Sequence, residues 1–236
     1  MRRFTEFLYG CYALTVCGIL VFVVFCPLII LGPTLAIRRA IARAGVKITM
    51  AVCFAPLHVR GLERLPAGAS IVVSNHASYL DGIVLTAVLP SRFTFVVQDG
   101  VEKWPYLGLV SRRMGVSFVN RSSARDGARL TRALIRRLEG GESLTVFAEG
   151  TFKAPPGLLP FRKGAFLMAA HAGVPVVPAV IRGTRRFFGG GRRWPRHNRI
   201  EIEVFDPIPP QKESGQMLSK ARAVVLHHCG EPDVGA

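Results

Sequence analysis

Residues 8–31 form an almost uninterrupted apolar run without a single charged side chain. About 24 residues at ~1.5 Å each reach roughly 36 Å as a helix, enough to cross the hydrocarbon core of a bilayer. Arg2 and Arg3 precede the run, Gly32-Pro33 ends it, and Arg38, Arg39, Arg43 and Lys47 follow it. A cleaved signal peptide fits poorly, because the apolar core is too long and no small-residue cleavage site follows. A single spanning helix fits, and the basic residues after it predict a main domain held in the cytoplasm. A helical hairpin dipping into one leaflet also fits, and the break expected at Pro27 and the basic flanks favour it.

The formal net charge of +16 calls for an anionic partner: nucleic acid, anionic lipid or a phosphate-bearing substrate. No helix-turn-helix, zinc-finger spacing or aromatic RNA-binding motif is present, so no nucleic-acid partner is expected. The five cysteines form no Cys-x-x-Cys pair, which excludes a zinc ribbon and a disulfide framework, and no metal site is expected. There is no phosphate-binding Walker loop, no dinucleotide fingerprint and no Gly-x-Ser-x-Gly elbow.

Past Pro56 the pattern alternates between short apolar strands and amphipathic helices. Strands are expected at 70–74, 93–97, 116–119, 143–147, 176–181 and 200–205, and helices at 80–88, 106–114, 126–139 and 164–171. The tail from Glu213 is expected to hold one helix and then fray. Alternation of this kind predicts an α/β domain with a single mixed, largely parallel sheet flanked by helices. In such folds ligands gather beyond the carboxyl ends of the strands.

Polar groups stand at three such ends. His76 and Asp81 follow the run Ile71-Val72-Val73 in Ser74-Asn75-His76-Ala77-Ser78-Tyr79-Leu80-Asp81. Five residues on one helix subtend about 140°, so the two side chains meet only across a turn. A strand, a tight turn and a helix start would let Asp81 hold one imidazole nitrogen and leave the other free to take a proton. Arg121 follows Gly115-Val116-Ser117-Phe118-Val119-Asn120, and Glu149-Gly150-Thr151 follows Phe147-Ala148. Their convergence predicts one site.

Together these blocks resemble the lysophosphatidic acid acyltransferase family, the 1-acylglycerol-3-phosphate O-acyltransferases and their relatives. Asn75, His76, Ser78 and Asp81 match Asn-His-x-Ser-x-x-Asp. Gly115, Phe118, Val119 and Arg121 match the second block, Phe147, Glu149, Gly150 and Thr151 the third. Phe161, Gly164 and Ala165, and then residues 174–178, follow in the family's order. The resemblance implies a glycerol-3-phosphate acyltransferase-like fold with membrane-anchoring helices at 1–55, an acyltransferase domain at 56–212 and a C-terminal helix and tail at 213–236. It implies transfer from acyl-CoA or acyl carrier protein to a lysolipid hydroxyl at a membrane, without a cofactor. His76 would be the base, Asp81 its orienter, and Arg121, Glu149, Gly150 and Thr151 the acceptor-binding residues.

Some positions depart from that pattern. Ala148 stands where proline is usual, Phe152 where arginine is common, and Gln98 where a lysine often lies. Arg182 and Arg185 are candidates to make up the missing charge. Another lysolipid acceptor, such as a lyso-ornithine lipid, is the alternative to 1-acylglycerol-3-phosphate.

Overall fold

The first helix is longer than its sequence suggests, because Pro27 does not break it. In the computed structural model, which describes residues 2–98, 104–119, 124–189 and 194–235, α1 (Arg2–Cys17) runs through a π-helical stretch (Gly18–Phe25) into α2 (Cys26–Leu31). Proline lacks an N–H and crowds the preceding turn of an α-helix. Here the turn before it is widened, with Cys26 N–H bonded five residues back to Val21 O, and the chain passes without a kink-forming break. Residues 4–31 are long and apolar enough to cross a membrane by length and composition, and little of that stretch is buried by protein.

The turn comes instead at Gly32-Pro33-Thr34. Thr34 Oγ1 accepts the Ile37 N–H and caps α3 (Leu35–Val52), which folds back along the first helix. Gly45 lets the two arms approach: a Cβ there would lie 2.6 Å from the Phe25 ring. The hairpin is also fastened to the rest of the chain. Arg39 is buried and donates to Met114 O (3.2 Å), Ser91 O (2.7 Å) and Thr94 Oγ1 (2.6 Å). Thr94 Oγ1 also meets Arg137, whose Nη2 pairs with Glu142 at 2.6 Å. Arg137 holds the Glu142 carboxyl below the usual carboxylate range.

Beyond the hairpin the described strands form one seven-stranded sheet in the order β1-β7-β6-β2-β5-β3-β4. They are β1 (Leu57–Arg60), β2 (Ile71–Ser74), β3 (Phe93–Gln98), β4 (Ser117–Val119), β5 (Ser143–Phe147), β6 (Val176–Arg182) and β7 (Ile200–Val204). All neighbours run parallel except β6 and β7. The mixed, largely parallel sheet is therefore the one expected. Strand β1 was not anticipated, because three of its four residues are exposed and its pattern is not alternating.

Alternate residues of β2 enter opposite cores, as the period of a strand requires. Ile71 and Val73 pack with α6 (Ala124–Glu139), α7 (Gly164–Ala172) and α9 (Ser214–Cys229). Val72 packs with α4 (Asp81–Val88) and the N-terminal hairpin. In β7 the apolar residues are buried and Glu201 and Glu203 are half-buried, the half-exposed strand predicted. The tail does not fray after α9. Leu158 N–H donates to Pro232 O at 2.8 Å, and Glu231 binds the Gly157 N–H.

Candidate active site

Strands β2 and β5 end side by side while β6 runs on to Arg182: Ser74 is in register with Phe147 on one side and Ala179 on the other. Past this edge the chain leaves β2 through residues 75–80 and enters α4 at Asp81. Asn75 prolongs the sheet by imitating a backbone. Its amide donates to Ile181 O (2.9 Å) and accepts from Ile181 N (2.8 Å), both buried. Ser78 is also buried; its hydroxyl donates to Phe188 O and accepts the Leu80 N–H, so it shapes the turn.

That turn brings His76 back to Asp81. Nδ1 lies 2.9 Å from Asp81 Oδ2, which also accepts the N–H groups of Ala77 (2.6 Å) and Ser78 (2.8 Å). Asp81 is 0 % exposed and the His76 side chain 17 %. A carboxylate can only accept, so the shared proton sits on Nδ1 and Nε2 carries the lone pair. Asp81 therefore fixes the turn, the ring and the tautomer with one oxygen. The Phe147 ring stacks on the imidazole at 4.1 Å and 12° between planes. Phe152 makes a T-shaped contact with the imidazole at 4.6 Å between ring centres, and Tyr79 meets Phe152 in the same way at 4.7 Å.

The end of β5 turns under this loop. Gly150 N–H bonds to Phe147 O, and Gly150 takes a positive φ of 75°, a conformation disfavoured for residues with a Cβ. The turn directs Glu149 inward and leaves Thr151 exposed. Glu149 is 3 % exposed; Oε1 accepts the His76 backbone N–H at 2.6 Å and Oε2 the Leu159 N–H at 2.7 Å. Burial pushes this carboxyl up to about 7, against the pull of the two N–H donors. Ala148 uses the freedom of not being proline: its N–H donates to Ser74 O at 3.3 Å, one more rung between β2 and β5.

His76, Asp81 and Glu149 thus lie in one hydrogen-bonded cluster, as the sequence predicts for the strand ends. Gly150 and Thr151 sit beside it. Arg121 lies outside the described residues, two positions beyond the end of β4, which is separated from β5 by β3. Arg182 and Arg185 do not supply free charge. Arg182 pairs with Glu201 (3.2 Å) and Glu203 (2.9 Å), and Arg185 with Glu231 (2.7 Å). The cation that does border the turn is Arg162, overlooked in the motif reading. It is exposed, and its Nε donates to Glu149 O at 3.3 Å. Its place in the Phe-x-x-Gly-Ala block, beside matched Phe161, was the available signal.

A half-buried imidazole held by a buried carboxylate, at the carboxyl end of a central strand and with no serine elbow in the sequence, has the chemistry to act as a base towards a hydroxyl. Comparison with known proteins names the class. The Acyltransferase family model matches residues 56–182, so the chain belongs to that family. The chain is 34 % identical over 128 residues to a 1-acyl-sn-glycerol-3-phosphate acyltransferase of Neisseria gonorrhoeae, covering 54 % of this chain and 46 % of that one. It is 31 % identical over 175 residues to the chloroplastic enzyme of that name from Arabidopsis thaliana, covering 73 % and 49 %. The chain thus spans about half the length of these relatives. Its fold is similar to the crystal structure of the 1-acyl-sn-glycerophosphate (LPA) acyltransferase PlsC from Thermotoga maritima, with a TM-score of 0.78 at 23 % identity over 96 % of this chain and 95 % of that one.

Proposed function

We propose that the protein moves a fatty acyl group from acyl-CoA or acyl carrier protein to the free hydroxyl of 1-acylglycerol-3-phosphate, giving phosphatidate for phospholipid synthesis. The observation that carries this reading is the 2.9 Å contact of His76 Nδ1 with the buried Asp81 carboxylate. Nε2 removes the proton of the acceptor hydroxyl as its oxygen attacks the thioester carbonyl. The new C–O bond forms, the C–S bond breaks, and the proton passes from Nε2 to the leaving thiolate. A base so placed contributes about 10²–10⁴ in rate. Relatives named for this activity support the acceptor.

Glu149 in this reading is a positioning residue, both of its oxygens being occupied by backbone N–H groups. Gly150 and Thr151 border the acceptor, and Arg121 and Arg162 are the cations assigned to its phosphate. The first helix is the membrane anchor, and the basic residues after it keep the catalytic domain on the cytoplasmic side. The test is acyl transfer by purified protein in liposomes, offering lysophosphatidate, lyso-ornithine lipid and other lysolipids with each donor. Phosphatidate as the main product supports the assignment; transfer only to another lysolipid refutes the acceptor and keeps the chemistry.

A further inference from the structure

We propose that Phe152, backed by Tyr79, keeps water from the His76 imidazole, so that the acyl group passes to a lipid hydroxyl and not to water. The inference rests on the reading of His76 as the base. A general base does not distinguish hydroxyls: water brought to Nε2 would lose its proton to it, and its oxygen would bond to the acyl carbon. The C–S bond would break, the proton would pass on to the thiolate, and free fatty acid and thiol would result. A transferase working at a membrane surface in contact with water has to suppress this reaction, and enclosure of the reacting groups is the general means.

The imidazole is enclosed unevenly. Phe147 covers one face at 4.1 Å, and Asp81 with its backbone donors fills the Nδ1 side. Phe152 packs against it in a T-shaped contact, at 4.6 Å between ring centres with 64° between planes. Tyr79 stands edge-on behind it at 4.7 Å and 85°, itself 77 % exposed, as the outer leaf of the same wall. Phe152 occupies the position after Thr151 where the motif commonly carries arginine. A guanidinium there would hold its own hydration beside the imidazole, whereas a phenyl ring carries no hydrogen-bonding group to hold water. Tyr79 stands at an unmatched position inside the first block and Phe152 directly after the third, so neither is one of the matched residues.

Full-length protein in liposomes tests this, with labelled oleoyl-CoA and the release of free fatty acid and CoA measured without acceptor, and phosphatidate formation measured with lysophosphatidate. Phe152→Ala is expected to raise the hydrolysis-to-transfer ratio about tenfold or more, through faster hydrolysis as well as slower transfer. Phe152→Leu, which keeps apolar bulk, should stay near the wild-type ratio. Tyr79→Ala, at an exposed position that leaves folding alone, should give a smaller rise of the same sign. The added hydrolysis must vanish when His76→Ala is combined with Phe152→Ala. An unchanged ratio in both alanine variants overturns the proposal, as does added hydrolysis that survives His76→Ala. Failure of the wild type to acylate lysophosphatidate would count against the acceptor alone, because the acceptor-free arm reads the wall independently.

Discussion

Glu149 Oε1 accepts the backbone N–H of His76 at 2.6 Å, so a buried acid just past the end of β5 holds the residue proposed as the base just past the end of β2. The folded protein raises this carboxyl from 4.5 to about 7. Between those values the folded state binds more protons than the unfolded chain, so the stability tied to Glu149 falls as pH rises through the window and is level above it. Glu149→Gln removes the titration and sets an amide N–H₂ against one of the two backbone donors, which costs about 1–3 kcal/mol. The expected result is a lower Tm than wild type, with the gap narrowing from pH 5 to pH 7. A gap independent of pH would contradict the assignment.

Asp81 collects its three hydrogen bonds on Oδ2. Asp81→Asn keeps the size and loses the acceptor-only character that fixes the tautomer of His76. Turnover should fall by ~10²–10⁴ with the acceptor KM within a few-fold of wild type. Steady-state kinetics decides, and a large KM effect at normal kcat would place Asp81 in substrate binding instead.

Asn75 joins the end of β2 to β6 through both polar atoms of its amide. Asn75→Ala leaves Ile181 N–H and C=O unpaired in a buried place, at a cost of about 2–4 kcal/mol. Thermal unfolding in detergent measures this. An unchanged Tm would mean that the amide serves the substrate and not the sheet.

Arg39 links the N-terminal hairpin to the rest of the chain through Ser91, Thr94 and Met114. Arg39→Met keeps the length and removes the donors, leaving the part-buried bonds to Ser91 O and Met114 O and the buried one to Thr94 Oγ1 unmade. A destabilisation of about 2–4 kcal/mol is expected, with kcat at low temperature close to wild type because the clamp is remote from His76. Proteolysis of the linker after α3 would report the loosened hairpin; equal cleavage rates in the two proteins would argue against a clamp.

Arg162 borders the Glu149 turn without an ion pair among the described residues. Arg162→Ala should raise the KM for lysophosphatidate about five- to thirtyfold, the range of one lost charge-assisted hydrogen bond, and leave the donor KM unchanged. Equal shifts for both substrates would remove it from the acceptor site.

Much of this was legible in the chain because the signals were local. The run Ile71-Val72-Val73 followed by a turn and a helix start was enough to bring His76 to Asp81, and the alternation in β7 was enough to place its acids outward. What could not be read depended on backbone detail or on contacts distant in sequence. Pro27 reads as a break, and only the widened turn before it shows why the helix continues. Arg182 and Arg185 read as free charge until strand pairing and the returning tail set Glu201, Glu203 and Glu231 against them. Phe147 reads as a matched position of the third block and Phe152 as a departure from it, and their contacts with His76 appear only when β5 ends beside β2.

The most direct test of the central claim is the rate of phosphatidate formation from lysophosphatidate and acyl-CoA or acyl carrier protein by liposome-bound protein, wild type beside His76→Ala. The account predicts transfer by the wild type and a loss of at least ~10²-fold in the variant, with liposome binding and Tm retained. Near-normal turnover by His76→Ala would contradict it.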